Sequence, residues 1–107
     1  MVDASIVQTA RNYLRALADR GFPVRFGVLF GSWARGQAEE WSDIDLVVVS
    51  PRFDDRPDRR DIDTLWHLTA ETDSRIEPLP CGEKQWEEDD VSTILEVARR
   101  EGQRVTP

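Results

Sequence analysis

The chain has 107 residues, 39% hydrophobic and 33% charged, which fits one domain spanning residues 1–107 and excludes both global disorder and a second independent core. Its net charge of −7, from 21 acidic against 14 basic residues, disfavours direct binding of a nucleic-acid backbone, although a bound cation can still reverse the local field around a nucleotide. The lone cysteine, Cys81, excludes an intrachain disulfide, and His67 as the only histidine argues against a histidine-based metal site. No apolar run approaches the length of a membrane span and Met1-Val2-Asp3 carries no basic leader start, so no membrane association and a cytoplasmic location are expected.

Asp3 is placed to cap a helix whose apolar residues Ile6, Ala10, Leu14, Leu17 and Ala18 recur at helical spacing. Gly21 and Pro23 end it. Val24 to Phe30 reads as a strand that is apolar on both faces and therefore central. Gly31-Ser32 breaks this strand, Trp33 to Gln37 reads as one or two helical turns, and Ile44 to Val49 is a second, β-branched strand. Arg52 to Arg60 reads as an exposed charged loop. A helix follows to about Thr72, with Ile62, Leu65, Trp66 and Thr69 as its inner stripe and Trp66 expected in the core. Arg75 to Leu79 is a short third strand. Glu87 to Asp90 reads as the solvated start of a last helix that turns Val91, Ile94, Leu95 and Ala98 inward and ends at Gly102. The expected fold is α/β (α+β), a small mixed sheet of three or four strands flanked by about four helices.

The chemistry concentrates between Phe30 and Val49. Asp43 and Asp45 stand two apart at the head of the second strand, so both carboxylates project from one face. Two such carboxylates repel each other, and a divalent cation removes that penalty. Mg²⁺ prefers hard oxygen ligands and is commonly held by one or two carboxylates together with substrate phosphates. A bare Asp-x-Asp is explained as well by a turn cap and an exposed edge residue. Gly31-Ser32 narrows the choice. Glycine allows a sharp bend and close approach of the backbone to a phosphate, and the Ser32 hydroxyl and following amides are donors for an anion. Arg35 lies within reach of a phosphate or of the acidic pair. A phosphate loop of the Gly-Lys-Ser/Thr type is excluded by Gln37 and Ala38 after Gly36, and no Gly-x-Ser-x-Gly supports a serine hydrolase.

Gly31-Ser32-Trp33-Ala34-Arg35-Gly36 followed by Ser42-Asp43-Ile44-Asp45-Leu46 resembles the signature of the minimal nucleotidyltransferases, the MNT group of the DNA polymerase β superfamily. The resemblance is close over Val24 to Val49 and rests elsewhere on element order and length. It implies a mixed-sheet fold in which Gly31-Ser32 grips the triphosphate and Asp43 and Asp45 bind two metals; ATP, two Mg²⁺ ions and a phosphate contact from Arg35 are the expectation for this chain. It also implies a third carboxylate on a later strand. Glu77 is the candidate, as metal ligand or as acceptor of the proton from an attacking hydroxyl, where relatives often carry aspartate; an exposed strand residue paired with Arg75 or Arg52 explains Glu77 equally well. Glu71 and Asp73 are weaker choices at a helix end. The implied reaction is transfer of AMP from ATP to a hydroxyl, with a HEPN-type toxin as expected partner and candidate acceptor. Two alternatives remain at this point: an antitoxin acting mainly by binding its partner, and a degenerate domain that binds Mg²⁺-nucleotide without turnover.

Overall fold

The computed structural model describes residues 2–107 and runs α1 (Ala4–Asp19), β1 (Phe26–Phe30), β2 (Ile44–Val49), a 3₁₀ turn (Pro51–Phe53), α2 (Arg59–Glu71), β3 (Ile76–Cys81), α3 (Glu83–Glu88), α4 (Thr93–Glu101) and β4 (Gln103–Val105). Asp3 caps α1 by accepting from the Ser5 amide at 2.8 Å, and Gly21 takes the left-handed conformation after its end, donating to the Ala18 carbonyl. The inner stripe of α1 is Ile6, Ala10, Tyr13, Leu14 and Leu17; Ala18, expected to join it, is exposed.

The four strands lie in the order β3-β2-β1-β4. β1 pairs antiparallel with β2 and β4, and β2 pairs parallel with β3, so the sheet is mixed and β1 and β2 are its interior strands. β2 has the bounds read from its β-branched run. β1 begins at Phe26 rather than Val24, although the Arg25 amide still donates to the Val49 carbonyl. β3 is an edge, which is why it tolerates Pro78 and Pro80: two residues apart, both turn their missing donors away from β2.

Alternation along the strands divides the core into two layers. Leu29, Ile44, Leu46, Val48 and Ile76 pack against α1 and α2, while Val28, Val47, Val49 and Cys81 pack against Leu95 and Ala98 of α4. Leu14, Leu17 and Leu46 are wholly buried, each contributing about 1.5–3 kcal/mol over exposure.

Several expectations are corrected. Phe53 is buried and the chain turns through Pro51–Phe53, so the charged loop starts later than Arg52. In α2 the inward residues are Asp61, Leu65, Leu68 and Thr69; Trp66 is 48% exposed, not core. The rotation follows from Arg52, which grips the buried Asp61 carboxylate with two hydrogen bonds at 2.8 and 3.2 Å. Glu87 and Glu88 end α3 instead of starting the last helix, which begins at Thr93 after a Ser92 cap. Val91 and Ile94, expected inward, are 88% and 51% exposed. Trp33 to Gln37 forms turns rather than a helix.

Candidate active site

β2 carries Asp45 at its second residue, and Asp43 lies just before the strand. Asp45 stands opposite Phe30 of β1 on one side and Glu77 of β3 on the other, so the sheet register alone brings Glu77 beside the aspartates. Asp45, Glu77 and the α4 layer share one face, with Asp45 half-buried and Asp43 and Glu77 exposed.

The chain leaves β1 at Gly31, whose φ of +77° is the left-handed conformation that a side chain disfavours. A Cβ built on Gly31 collides with the Asp45 carboxylate, so backbone and carboxylate are in direct contact. The turn closes through the Arg35 amide on the Gly31 carbonyl at 3.1 Å and the Gln37 amide on the Ser32 carbonyl at 2.9 Å. Trp33 Nε1 donates to the Ser42 carbonyl at 3.2 Å, fastening this turn to the segment that delivers Asp43. Arg75 Nη1 donates to the Glu40 carbonyl at 2.8 Å, and the Ile44 amide to the Arg75 carbonyl, fastening the same segment to the start of β3. Neither tie was visible in the sequence; both depend on the path of a loop, although an indole and a guanidinium beside acidic segments are donors in search of acceptors.

The electrostatics follow from this crowding. Burial raises the Asp45 pKa, the charge of Asp43 raises it further, and a hydrogen bond with Glu77 and the charge of Arg35 oppose the rise. Glu77 is also raised, by loss of surrounding water and then by the charges of Asp43 and Asp45, with which it shares hydrogen bonds. Arg52 and Arg75, the alternative partners for Glu77, bind Asp61 and Asp73 instead. Glu71 pairs with Arg20, and Asp73 with Arg75, so the two weaker carboxylate candidates are engaged elsewhere. Arg35 is exposed, 3.9 Å from Glu101.

Among the described residues no three His, Cys, Asp or Glu side chains form a ready-made metal cage. The donor set nevertheless suits Mg²⁺: it offers carboxylate oxygens that repel one another and leaves the remaining coordination open, as a cation shared with phosphate oxygens requires.

A glycine turn laid on a strand-head carboxylate thus stands where three strands meet, with Glu77 beside it. The chain matches the family model of the nucleotidyltransferase domain over residues 10–101, and it belongs to that family. Its fold is shared with solved structures at low identity. A toxin–antitoxin crystal structure with AMP-PNP is 24% identical, covering 88% of this chain and 70% of its own, with a TM-score of 0.59. A protein from Sulfolobus solfataricus assigned as a nucleotidyltransferase is 17% identical, covering 94% and 78%, with a TM-score of 0.61. A complex of tri-AMPylated HEPN toxin with MNT antitoxin from Shewanella oneidensis is 22% identical, covering 92% and 70%, with a TM-score of 0.54. No curated protein matches the chain.

Proposed function

We propose that the protein transfers AMP from ATP to a hydroxyl on a HEPN-type protein partner. The observation that carries this reading is the contact of the Gly31 backbone with the Asp45 carboxylate, beside Asp43 and Glu77. One small region then serves both phosphate and cation. The Ser32 hydroxyl, the turn amides and Arg35 hold the β- and γ-phosphates, and Asp43 and Asp45, with Glu77, are the ligands for two Mg²⁺ ions. When bound, the ions supply charge neutralisation at the α-phosphate and the leaving group. The acceptor oxygen forms its bond to the α-phosphorus as the bond to the β-phosphate oxygen breaks. Pyrophosphate carries away the electron pair, and the acceptor proton passes to a carboxylate beside the aspartates, for which Glu77, opposite Asp45 across the β2–β3 pairing, is placed. ATP as donor fits a cytoplasmic protein. No helix among the described residues is long and apolar enough to cross a membrane.

The neighbours with AMP-PNP and with an AMPylated toxin support adenylyl transfer to a partner over transfer to nucleic acid, as does the net charge of −7. The test is incubation with α-labelled ATP, Mg²⁺ and the product of the adjacent gene. Label should appear on that protein and vanish with Asp43→Asn or Asp45→Asn. Neutralisation of a toxic partner that survives both substitutions, without labelling, would instead establish masking by binding.

A further inference from the structure

The last turn of a helix is the negative pole of its dipole, where cations are favoured and a carboxylate is not. α4 follows that rule at Arg99 and Arg100 and breaks it at its last residue, Glu101. The end of the same helix is fixed against the sheet. A Cβ on Gly102 would overlap the Ala98 and Leu29 carbonyl oxygens and a Val28 methyl, so the backbone here lies directly on β1. Gly102 donates its amide to the Ala98 carbonyl at 2.9 Å, and the next residue, Gln103, is already paired with Leu29.

That pairing sets what Glu101 faces. β4 runs antiparallel to β1 with Gly27 opposite Val105, Val28 opposite Arg104 and Leu29 opposite Gln103. Carried two residues further, the same register points the end of α4 at Gly31, the first residue of the turn. The side chains meet accordingly. The Glu101 carboxylate is 3.9 Å from the Arg35 guanidinium, whose Nε donates to the Gln37 side-chain oxygen at 3.3 Å. Arg100 stands 3.8 Å from the other oxygen of that carboxylate. The Arg35 amide meanwhile closes the turn on the Gly31 carbonyl. Arg35 is thus held by Gln37 within its own turn and by Glu101 from the end of α4, and its charge also reaches Asp45.

We propose that Glu101 is the positioning residue for Arg35. It holds the guanidinium at the Gly31–Ser32 turn, where the triphosphate lies, and away from the Asp43 and Asp45 carboxylates, where it would compete with Mg²⁺. The inference rests on the nucleotidyl-transfer reading and deepens it by naming what orients the phosphate-binding arginine. Glu101 touches neither nucleotide nor metal in this role. A carboxylate beside a triphosphate is repulsive on its own account. Glu101 therefore assists binding only through Arg35, and in the absence of Arg35 nothing but its repulsion is left.

The sign of the effect in two backgrounds tests this. Calorimetric titration of the intact chain with AMP-PNP and Mg²⁺ should show Glu101→Gln weakening binding by about two- to fivefold, the range for an exposed ion pair. Glu101→Asp should recover part of that loss. In an Arg35→Ala background the same Glu101→Gln change should not weaken binding at all. A loss of equal size in both backgrounds would show that Glu101 acts on the fold rather than on Arg35 and would overturn the inference. Unchanged or tighter binding by the single Glu101→Gln variant would overturn it too. The side-chain Nε–Hε resonance of Arg35 gives a reading without nucleotide. It should shift in Glu101→Gln and stay in place in Glu96→Gln, which takes the other carboxylate from Arg100; an unmoved resonance in Glu101→Gln would refute the contact. AMP-PNP binding that Asp43→Asn and Asp45→Asn leave intact would instead overturn the nucleotidyl-transfer reading itself, a result distinct from all of these.

Discussion

Asp45→Asn removes one charge from the crowded end of β2 while keeping the side chain's shape. The folded-state pKa of Asp45 is raised, so between its ordinary value of 3.8 and that raised value the folded chain binds more protons than the unfolded one. The carboxylate therefore costs stability that is absent below about pH 4 and fully present once pH has risen through the folded pKa. Glu77 adds in the same direction from its ordinary value of 4.5. Calorimetric melting of metal-free protein should show the Asn variant more stable than the parent at neutral pH, with the gap closing towards about pH 4. A parent that stays the more stable of the two at neutral pH would remove the charge crowding from the account. Gly31→Ala tests the other half of the site. Its φ of +77° and its contact with Asp45 leave a methyl no room, and the backbone must shift at a cost of roughly 1–3 kcal/mol. Denaturant unfolding should register that loss, and calorimetry should register weaker Mg²⁺-ATP binding in whatever protein remains folded.

Between elements, α1 and α2 are joined by one buried polar contact. The Tyr13 hydroxyl donates to the Leu65 carbonyl at 2.7 Å, and burial raises the phenol's pKa. Tyr13→Phe keeps the ring and should cost about 1 kcal/mol, a drop of roughly 4–8 °C in melting temperature for a domain of this size. An unchanged melting temperature would mean the two helices are held by apolar packing alone. The elements also show how far local pattern reaches. β2 was legible because Ile44 to Val49 is a β-branched apolar run closed by Ser50-Pro51. β4 was not, since Gln103–Val105 is three residues long and takes its strand character from pairing with β1. α3 is six residues of mixed charge without a stripe, so its helix is set by tertiary contacts. The α2 stripe was read about a turn's fraction off because no periodicity predicts that Arg52 draws Asp61 inward. The proximity of Glu77 to the aspartates was implied by the family resemblance, but the register that produces it belongs to the β2–β3 pairing. A cavity lined by Trp66, Ile94 and Glu77 was hidden, because both apolar residues had been assigned to the core.

At the scale of the molecule, the Cα radius of gyration of 12.8 Å is near the roughly 13 Å of one compact unit of this length. The strand order assembles the candidate site: β1 leads into the Gly31 turn, β2 brings the aspartates and β3 brings Glu77 with the cavity beyond it. The chain carries a net charge of −7, which disfavours binding of a bare polyanion and suits an anion that arrives with a cation. The most direct measurement is paramagnetic broadening of amide resonances by Mn²⁺ in the presence of AMP-PNP. Broadening should centre on Asp43 to Asp45, reach Gly31, Ser32 and Glu77, and disappear in the Asp43→Asn, Asp45→Asn double variant. Broadening that centres on another acidic stretch such as Glu87 to Asp90, or that persists in the double variant, would contradict the account.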